Sequence, residues 1–274
     1  MASMIRSAVS IVPWRLRGAI RSMPGIAQAQ RWLLDRTLNG AEFEHLVDAG
    51  PAKGVRFWIR MPDDKGIWTG TYEQSFAERI AAATPKGGVA FDIGGWHGFF
   101  TGVMAAQGAS KVVVFEPLPD NIERLRKLVA LNPKLPIQLN EMALGEEEGE
   151  TTLVIMPDTS MAKLANSDFQ PDAHGQTRIT VRIASIDGLV SSGALPPPQL
   201  MKLDVEGAEM MVLRGADTVL RTHKPIIFSE VHSSALLAEV RPFLEERGYK
   251  VTLIDEDPAA AARRDVFQIQ AKAG

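Results

Sequence analysis

Cysteine is absent from the 274-residue sequence. That excludes a disulfide scaffold, a Cys-ligated zinc or iron–sulfur site, and catalysis by a thiolate. No stretch approaches the about 18 uninterrupted apolar residues of a membrane-spanning helix, so none is expected. The chain start also lacks a long apolar run, because charges and Pro13 break it, which argues against a secretory signal. Nor is there a large net charge. The 30 Lys and Arg stand against 33 Asp and Glu, for a formal −3, and nucleic acid is not an expected partner. With 45% hydrophobic residues, the sequence describes a globular protein with enough length for a full core. A reducing, cytoplasmic setting is expected.

The charge is unevenly spread. Residues 1–38 carry Arg6, Arg15, Arg17, Arg21, Arg31 and Arg36 against one acid, Asp35. Ile11, Trp14, Ile20, Trp32, Leu33 and Leu34 are interleaved with them. The expectation is a basic N-terminal helical extension over residues 1–54 that packs on the core. The alternative is an amphipathic segment touching an acidic partner or the inner face of a membrane. Residues 55–274 form the main domain, with its core at about 76–274.

Val55, Phe57 and Ile59 alternate with Arg56, Trp58 and Arg60 in strand fashion. Residues 62–66 signal a turn and residues 76–83 a helix. Short apolar runs then alternate with helical patterns. Strands are expected at 89–93, 111–115, 137–139, 200–205, 226–229, 251–254 and 266–269. Helices are expected at 98–107, 120–131 and 207–221, with a stretch ending at Arg247 and interrupted at Pro242. This alternation means an α/β fold, a mostly parallel sheet covered on both faces, with its ligand at the C-terminal strand ends. Glu146–Glu150 reads as a solvated acidic loop, and residues 157–178 as a lid or substrate loop.

Four strand tips carry the chemistry. The first is Asp92-Ile93-Gly94-Gly95-Trp96-His97-Gly98. Gly94 and Gly98 permit tight turns and close ligand approach, and the following helix offers backbone N–H groups. A nicotinamide-binding turn places glycine where Asp92 stands. An acid there disfavours a pyrophosphate and suits a cationic amino-acid group, which favours S-adenosylmethionine. His97, inside the turn, is placed to close over the cofactor. The second tip is Phe115-Glu116-Pro117, whose acid suits two ribose hydroxyls. The third is Lys202-Leu203-Asp204-Val205-Glu206-Gly207-Ala208-Glu209, where Lys202 and Asp204 share a strand face. Glu206 and Glu209 lie in the first helical turn and complement its dipole. The fourth is Ser229-Glu230-Val231-His232. His232 is the general-base candidate, because an unperturbed imidazole titrates near neutral pH.

Together these motifs resemble the FkbM family of S-adenosylmethionine-dependent methyltransferases over roughly residues 66–254. Ala143-Leu144-Gly145 with Gly149, and Leu213-Arg214-Gly215-Ala216, add to the match. Gly95-Trp96 departs from it, standing where the family commonly has Ala-Asn. The resemblance implies a Rossmann-like class I methyltransferase fold with a mostly parallel seven-stranded sheet. It implies O-methylation of a hydroxyl on a sugar, lipid or other natural product. By position, Asp92, Gly94 and Gly98 would hold the methionine end of S-adenosylmethionine, Glu116 the ribose, and Met142 would lie at the adenine. Gly70-Thr71-Tyr72-Glu73 resembles the segment preceding the family fold, and Glu73 would cover the methionine moiety.

The expected chemistry is in-line methyl transfer, with His232 as base and Asp204 orienting it or the acceptor. A divalent metal is not expected. The variant that includes one would hold Mg²⁺ or a similar ion on Asp204, Glu230 and His232. The rival enzyme class, an NAD-dependent oxidoreductase, needs glycine at the Asp92 position. The alternative outside catalysis is a methyltransferase-like binding module, associated with a membrane or partner through the basic N-terminus.

Overall fold

The computed structural model describes residues 40–155, 162–164, 177–255 and 257–274. Residues 1–39 of the extension expected over 1–54, and most of the 157–178 loop, lie outside the described residues. In chain order the elements are β1 (Glu42–Leu46), β2 (Arg56–Arg60), α1 (Lys65–Thr69), α2 (Gln74–Ala83), β3 (Val89–Ile93), α3 (Phe99–Ala106), β4 (Lys111–Phe115) and α4 (Pro119–Leu131). Then come β5 (Ile137–Asn140), β6 (Ala143–Leu144), β7 (Gly149–Ile155), β8 (Ala162–Leu164), β9 (Arg178–Ala184), α5 (Ile186–Ser191), β10 (Leu200–Leu203) and α6 (Glu209–Arg214). The chain closes with α7 (Asp217–Thr222), β11 (Ile226–Val231), α8 (Ser234–Glu245), β12 (Tyr249–Leu253), α9 (Pro258–Arg264) and β13 (Phe267–Ala273).

Seven strands form the central sheet in the order β12-β13-β11-β10-β3-β4-β5. β5, β4, β3, β10 and β11 run parallel, and β13 lies antiparallel between β11 and β12. The central strands are buried on both faces, which is why they read as continuous apolar runs. One core layer gathers Phe57, Phe76, Phe100 and Val112. The other gathers Phe91, Leu203, Leu213 and Val240. The strand order reverses between β3 and β10, which opens a crevice at their C-terminal ends.

Four differences from the sequence expectation bear on the architecture. Residues 42–46, placed in the helical extension, form a strand paired antiparallel to β2. Glu42 accepts from Arg60 Nε at 2.7 Å and Trp58 Nε1 at 2.8 Å, so cross-strand partners fix the strand. The single helix expected at 207–221 is two, α6 and α7. A Cβ on Gly215 would lie 1.8 Å from the Gly145 carbonyl oxygen, so the backbones meet at the break. α8 runs unbroken through Pro242. Finally, β6, β9, β7 and β8 build a separate four-stranded sheet. Among the described residues, no helix is long and apolar enough to cross a membrane.

Candidate active site

A pocket of about 300 Å³ opens at the tips of β3, β4, β10 and β11. Its base is the glycine turn after β3. Gly94 N and Gly95 N both donate to Phe115 O, at 3.0 and 3.1 Å, tying the turn to β4. Gly94 has φ +78°, and a Cβ there would lie 1.8 Å from the Asp204 carbonyl oxygen. The turn therefore rests against the Asp204 backbone, which only glycine allows. Gly98, at φ +79°, packs on Leu125 and Leu128 of α4.

Glu116 locks this turn rather than projecting freely. Its Oε2 accepts from Trp96 N at 2.8 Å and its Oε1 from Leu118 N at 3.0 Å. Burial pushes its pKa up to about 7, against the pull of those N–H groups and Asn121. Trp96 has φ +47°. Its indole stacks on Tyr72 at a centroid distance of 5.5 Å and on His97 at 3.4 Å. Tyr72, Trp96, Glu116 and Met142 all line the pocket.

Asp92 and His97 do not line it. Asp92 is fully buried beneath the turn, where Thr101 Oγ1 donates to Oδ2 at 2.5 Å. Lys202 Nζ lies 3.5 Å from its Oδ1, donates to Gly94 O at 2.9 Å, and is 3.4 Å from Asp204 Oδ2. Burial raises the Asp92 pKa, with Lys202 and Thr101 opposing. Burial works against charge on Lys202, but Asp204 and Asp92 outweigh it and hold its pKa above the ordinary value. His97 was expected to close over the cofactor. Instead its Nδ1 meets Asp64 Oδ1 at 2.6 Å, and its Nε2 contacts Arg124, which also pairs with Asp64. This buried trio ties α1, the glycine turn and α4 together beneath Trp96. Burial lowers the His97 pKa, with Asp64 opposing.

The tips of β10 and β11 bring acids together. Asp204, Glu206 and Glu230 line the pocket beside Glu73 and Lys202. His232 is buried behind them. Its Nδ1 meets Glu209 Oε1 at 2.6 Å, and its Nε2 lies 3.5 Å from Asp204 Oδ1 and 3.4 Å from Glu206 Oε2. Burial disfavours charge on His232, yet the Glu209 hydrogen bond and surrounding carboxylates push its pKa up to about 10. These carboxylates thus favour the charged form of the ring. Glu209 was read from sequence as a helix-dipole residue; the fold makes it the partner of His232. Gln268 of β13 was not anticipated at all. Its Nε2 donates to Glu230 Oε1 at 2.8 Å and to Glu73 Oε2 at 3.3 Å. Glu73 has φ +37°, and burial beside Glu230 and Asp204 pushes its pKa up to about 8.

This strand order, with a glycine turn after β3 and acids on neighbouring strand tips, defines a class I methyltransferase. The chain belongs to the FkbM methyltransferase family: the Methyltransferase FkbM domain matches residues 88–251, more than half of its length. It is 27% identical over 224 residues to the hexuronic acid methyltransferase AglP of Haloferax volcanii, covering 81% of this chain and 87% of that one. It is 27% identical over 194 residues to methyltransferase 1 of Beauveria bassiana, covering 63% and 76%. A crystal structure of an FkbM methyltransferase from Methylobacillus flagellatus superposes with a TM-score of 0.49 at 18% identity, over 67% of this chain and 43% of that one.

Proposed function

We propose that the protein is an S-adenosylmethionine-dependent O-methyltransferase whose acceptor is a sugar hydroxyl. The observation that carries this reading is the pocket's division of labour. A glycine turn, Glu116 and Met142 stand on one set of strand tips, and a cluster of carboxylates on the next. The donor set suits the cofactor. Gly94 and Gly95 present backbone without side chain, Glu116 keeps acceptor capacity for ribose hydroxyls, and Glu73 offers its carboxyl oxygens to an ammonium group. Met142 supplies an apolar wall for the adenine. When bound, the cofactor supplies a methyl group already activated by its sulfonium.

The chain's own residues then have three tasks. Gly94 and Gly98 shape the turn. Asp92, buried, acts indirectly by fixing Lys202 and Thr101. Asp204 reaches the pocket and is the group that meets the acceptor hydroxyl, accepting its hydrogen bond, aligning its oxygen and taking its proton as the methyl group moves. His232, one layer back, steadies Asp204. These are the two residues expected from sequence with their roles exchanged: Asp204 is the contacting group and His232 its support. The hexuronic acid activity named for the Haloferax relative supports a sugar acceptor. Several carboxylates on one wall also suit a ligand carrying several hydroxyl donors.

The test has two parts. Calorimetry with S-adenosylhomocysteine should show binding by wild type that Glu116→Ala loses. Incubation with labelled S-adenosylmethionine and a panel of hexoses and hexuronates should label at least one acceptor, in a linkage that survives mild alkali. Survival separates a methyl ether from a carboxyl ester. Well-folded protein that binds no S-adenosylhomocysteine would overturn the reading.

A further inference from the structure

The pocket wall at the tips of β10 and β11, with Glu73 before α2, gathers more carboxyl groups than cationic side chains. Glu73, Asp204, Glu206 and Glu230 line it with one ammonium, Lys202. That ammonium is already shared between Gly94 O, Asp92 and Asp204. Behind the wall, fully buried Glu209 adds a fifth carboxylate, and its Oε2 has no hydrogen-bond partner among the described residues. A cation bound there would be a counter-charge for these carboxyl groups.

The geometry shows where it would sit. Glu209 Oε1 meets His232 Nδ1 at 2.6 Å, which turns Nε2 toward Asp204, Glu206 and Glu230. A carboxylate gripping one ring nitrogen while the other faces oxygen donors is the arrangement that orients metal-binding histidines. Glu230 is prepared in the same way. Gln268 occupies its Oε1 at 2.8 Å, and its Oε2 is the oxygen near His232 Nε2, at 4.0 Å. One donor atom from each of Asp204, Glu230 and His232 lies within 4.8 Å of the others. Two metal–ligand bonds of about 2.0–2.6 Å span that distance.

We propose that Asp204, Glu230 and His232 hold a divalent cation whose open face binds oxygen atoms of the acceptor. The two carboxylates suit Mg²⁺ or Mn²⁺, and the imidazole tilts the set toward a transition-metal ion such as Mn²⁺. The acceptor role rests on the methyltransferase reading above. The site also shows how an acidic sugar could enter an acidic pocket, since a bound cation inverts the local field.

The full chain, stripped with EDTA, is titrated with Mn²⁺ while electron paramagnetic resonance reads the free ion. The same samples are titrated with S-adenosylhomocysteine by calorimetry. Wild type should bind one Mn²⁺, displaced by excess Mg²⁺. Asp204→Asn, Glu230→Gln and His232→Asn should each weaken it about tenfold or more. Glu44→Gln, on the remote exposed hairpin, should not. Asp204 is only partly buried, so its variant gives a reading even if a buried substitution prevents folding. No Mn²⁺ binding, or binding that the three variants leave unchanged, overturns the cation site. If that protein still binds S-adenosylhomocysteine, the methyltransferase reading survives. One-for-one displacement of Mn²⁺ by S-adenosylhomocysteine also overturns the site, because the acids then serve the cofactor's ammonium. Failure to bind either ligand removes both.

Discussion

Replacing Lys202 by methionine removes the ammonium beneath the glycine turn while keeping most of the buried side-chain length. The residue is 2% exposed, and the similar shape limits any cavity contribution, so the loss is electrostatic. Its Nζ is the cationic neighbour of Asp92, at 3.5 Å, and the donor to Gly94 O, at 2.9 Å. Deleting one partner of a buried pair costs about 3–5 kcal/mol, because the other charge is left uncompensated. Asp92 can escape part of that cost by taking a proton. Burial already raises its pKa in the presence of Lys202, and removal of Lys202 raises it further. A carboxyl whose folded pKa exceeds its unfolded value binds more protons when folded. Its contribution is therefore full below the unfolded pKa and falls by up to about 1.4 kcal/mol per pH unit as pH rises toward the folded pKa. Lys202→Met should be only slightly less stable than wild type at about pH 5, and about 3–5 kcal/mol less stable at about pH 8. Urea unfolding followed by circular dichroism at both pH values measures this. Lys202→Met with Asp92→Asn should recover most of the deficit at high pH. A deficit that does not change with pH, or a double variant whose losses simply add, refutes the reasoning.

Other substitutions probe the rest of the site. Gly94→Ala forces a Cβ toward the Asp204 carbonyl at a positive φ, and should destabilise by about 2 kcal/mol or more and abolish S-adenosylhomocysteine binding in calorimetry. Glu116→Gln keeps one acceptor oxygen for the two N–H groups that Glu116 now satisfies, and should cost about 1–3 kcal/mol in chemical denaturation. Glu116 and Glu73 have pKa values raised to about 7 and about 8, so both favour the folded state while protonated. The melting temperature of cofactor-free protein should therefore fall as pH rises through that window, and a rise in thermal-shift measurements would contradict the assignment. Asp64→Ala leaves Arg124 buried without its carboxylate, and should cost about 3–5 kcal/mol in urea unfolding.

What the sequence made legible is what repeats locally. Buried parallel strands appear as unbroken apolar runs, and the acid closing each run marks a strand tip. Asp92, Glu116, Asp204 and Glu230 are all found that way. The small sheet carried a signal too, since Arg178-Ile179-Thr180-Val181-Arg182-Ile183 alternates strictly and its burial follows that alternation. The polar stretch before it masked that pattern. Partners brought together by the fold left no such trace. His97 meets Asp64 across 33 positions, and Gln268 meets Glu73 across 195. A neutral-looking glutamine on the last strand gives no sign that it spaces two acids of the pocket.

His232 shows why a residue can be found by pattern and its state still be missed. A histidine read from sequence carries its solution pKa, and on that value it makes a good base. In the fold, one carboxylate grips its Nδ1 and two more face its Nε2 within 3.5 Å. Those neighbours, not the imidazole itself, decide its protonation, and they favour the charged form. The pocket lining decides its reach: Asp204, Glu206 and Glu230 touch the space an acceptor would occupy, and His232 does not. Without a cation its proton compensates the acid wall; with one, its Nε2 lone pair would serve as a ligand. Either state makes the ring a support for Asp204 and Glu230. On this reading His232→Asn should slow methyl transfer through those two carboxylates, and added Mn²⁺ should restore part of the rate.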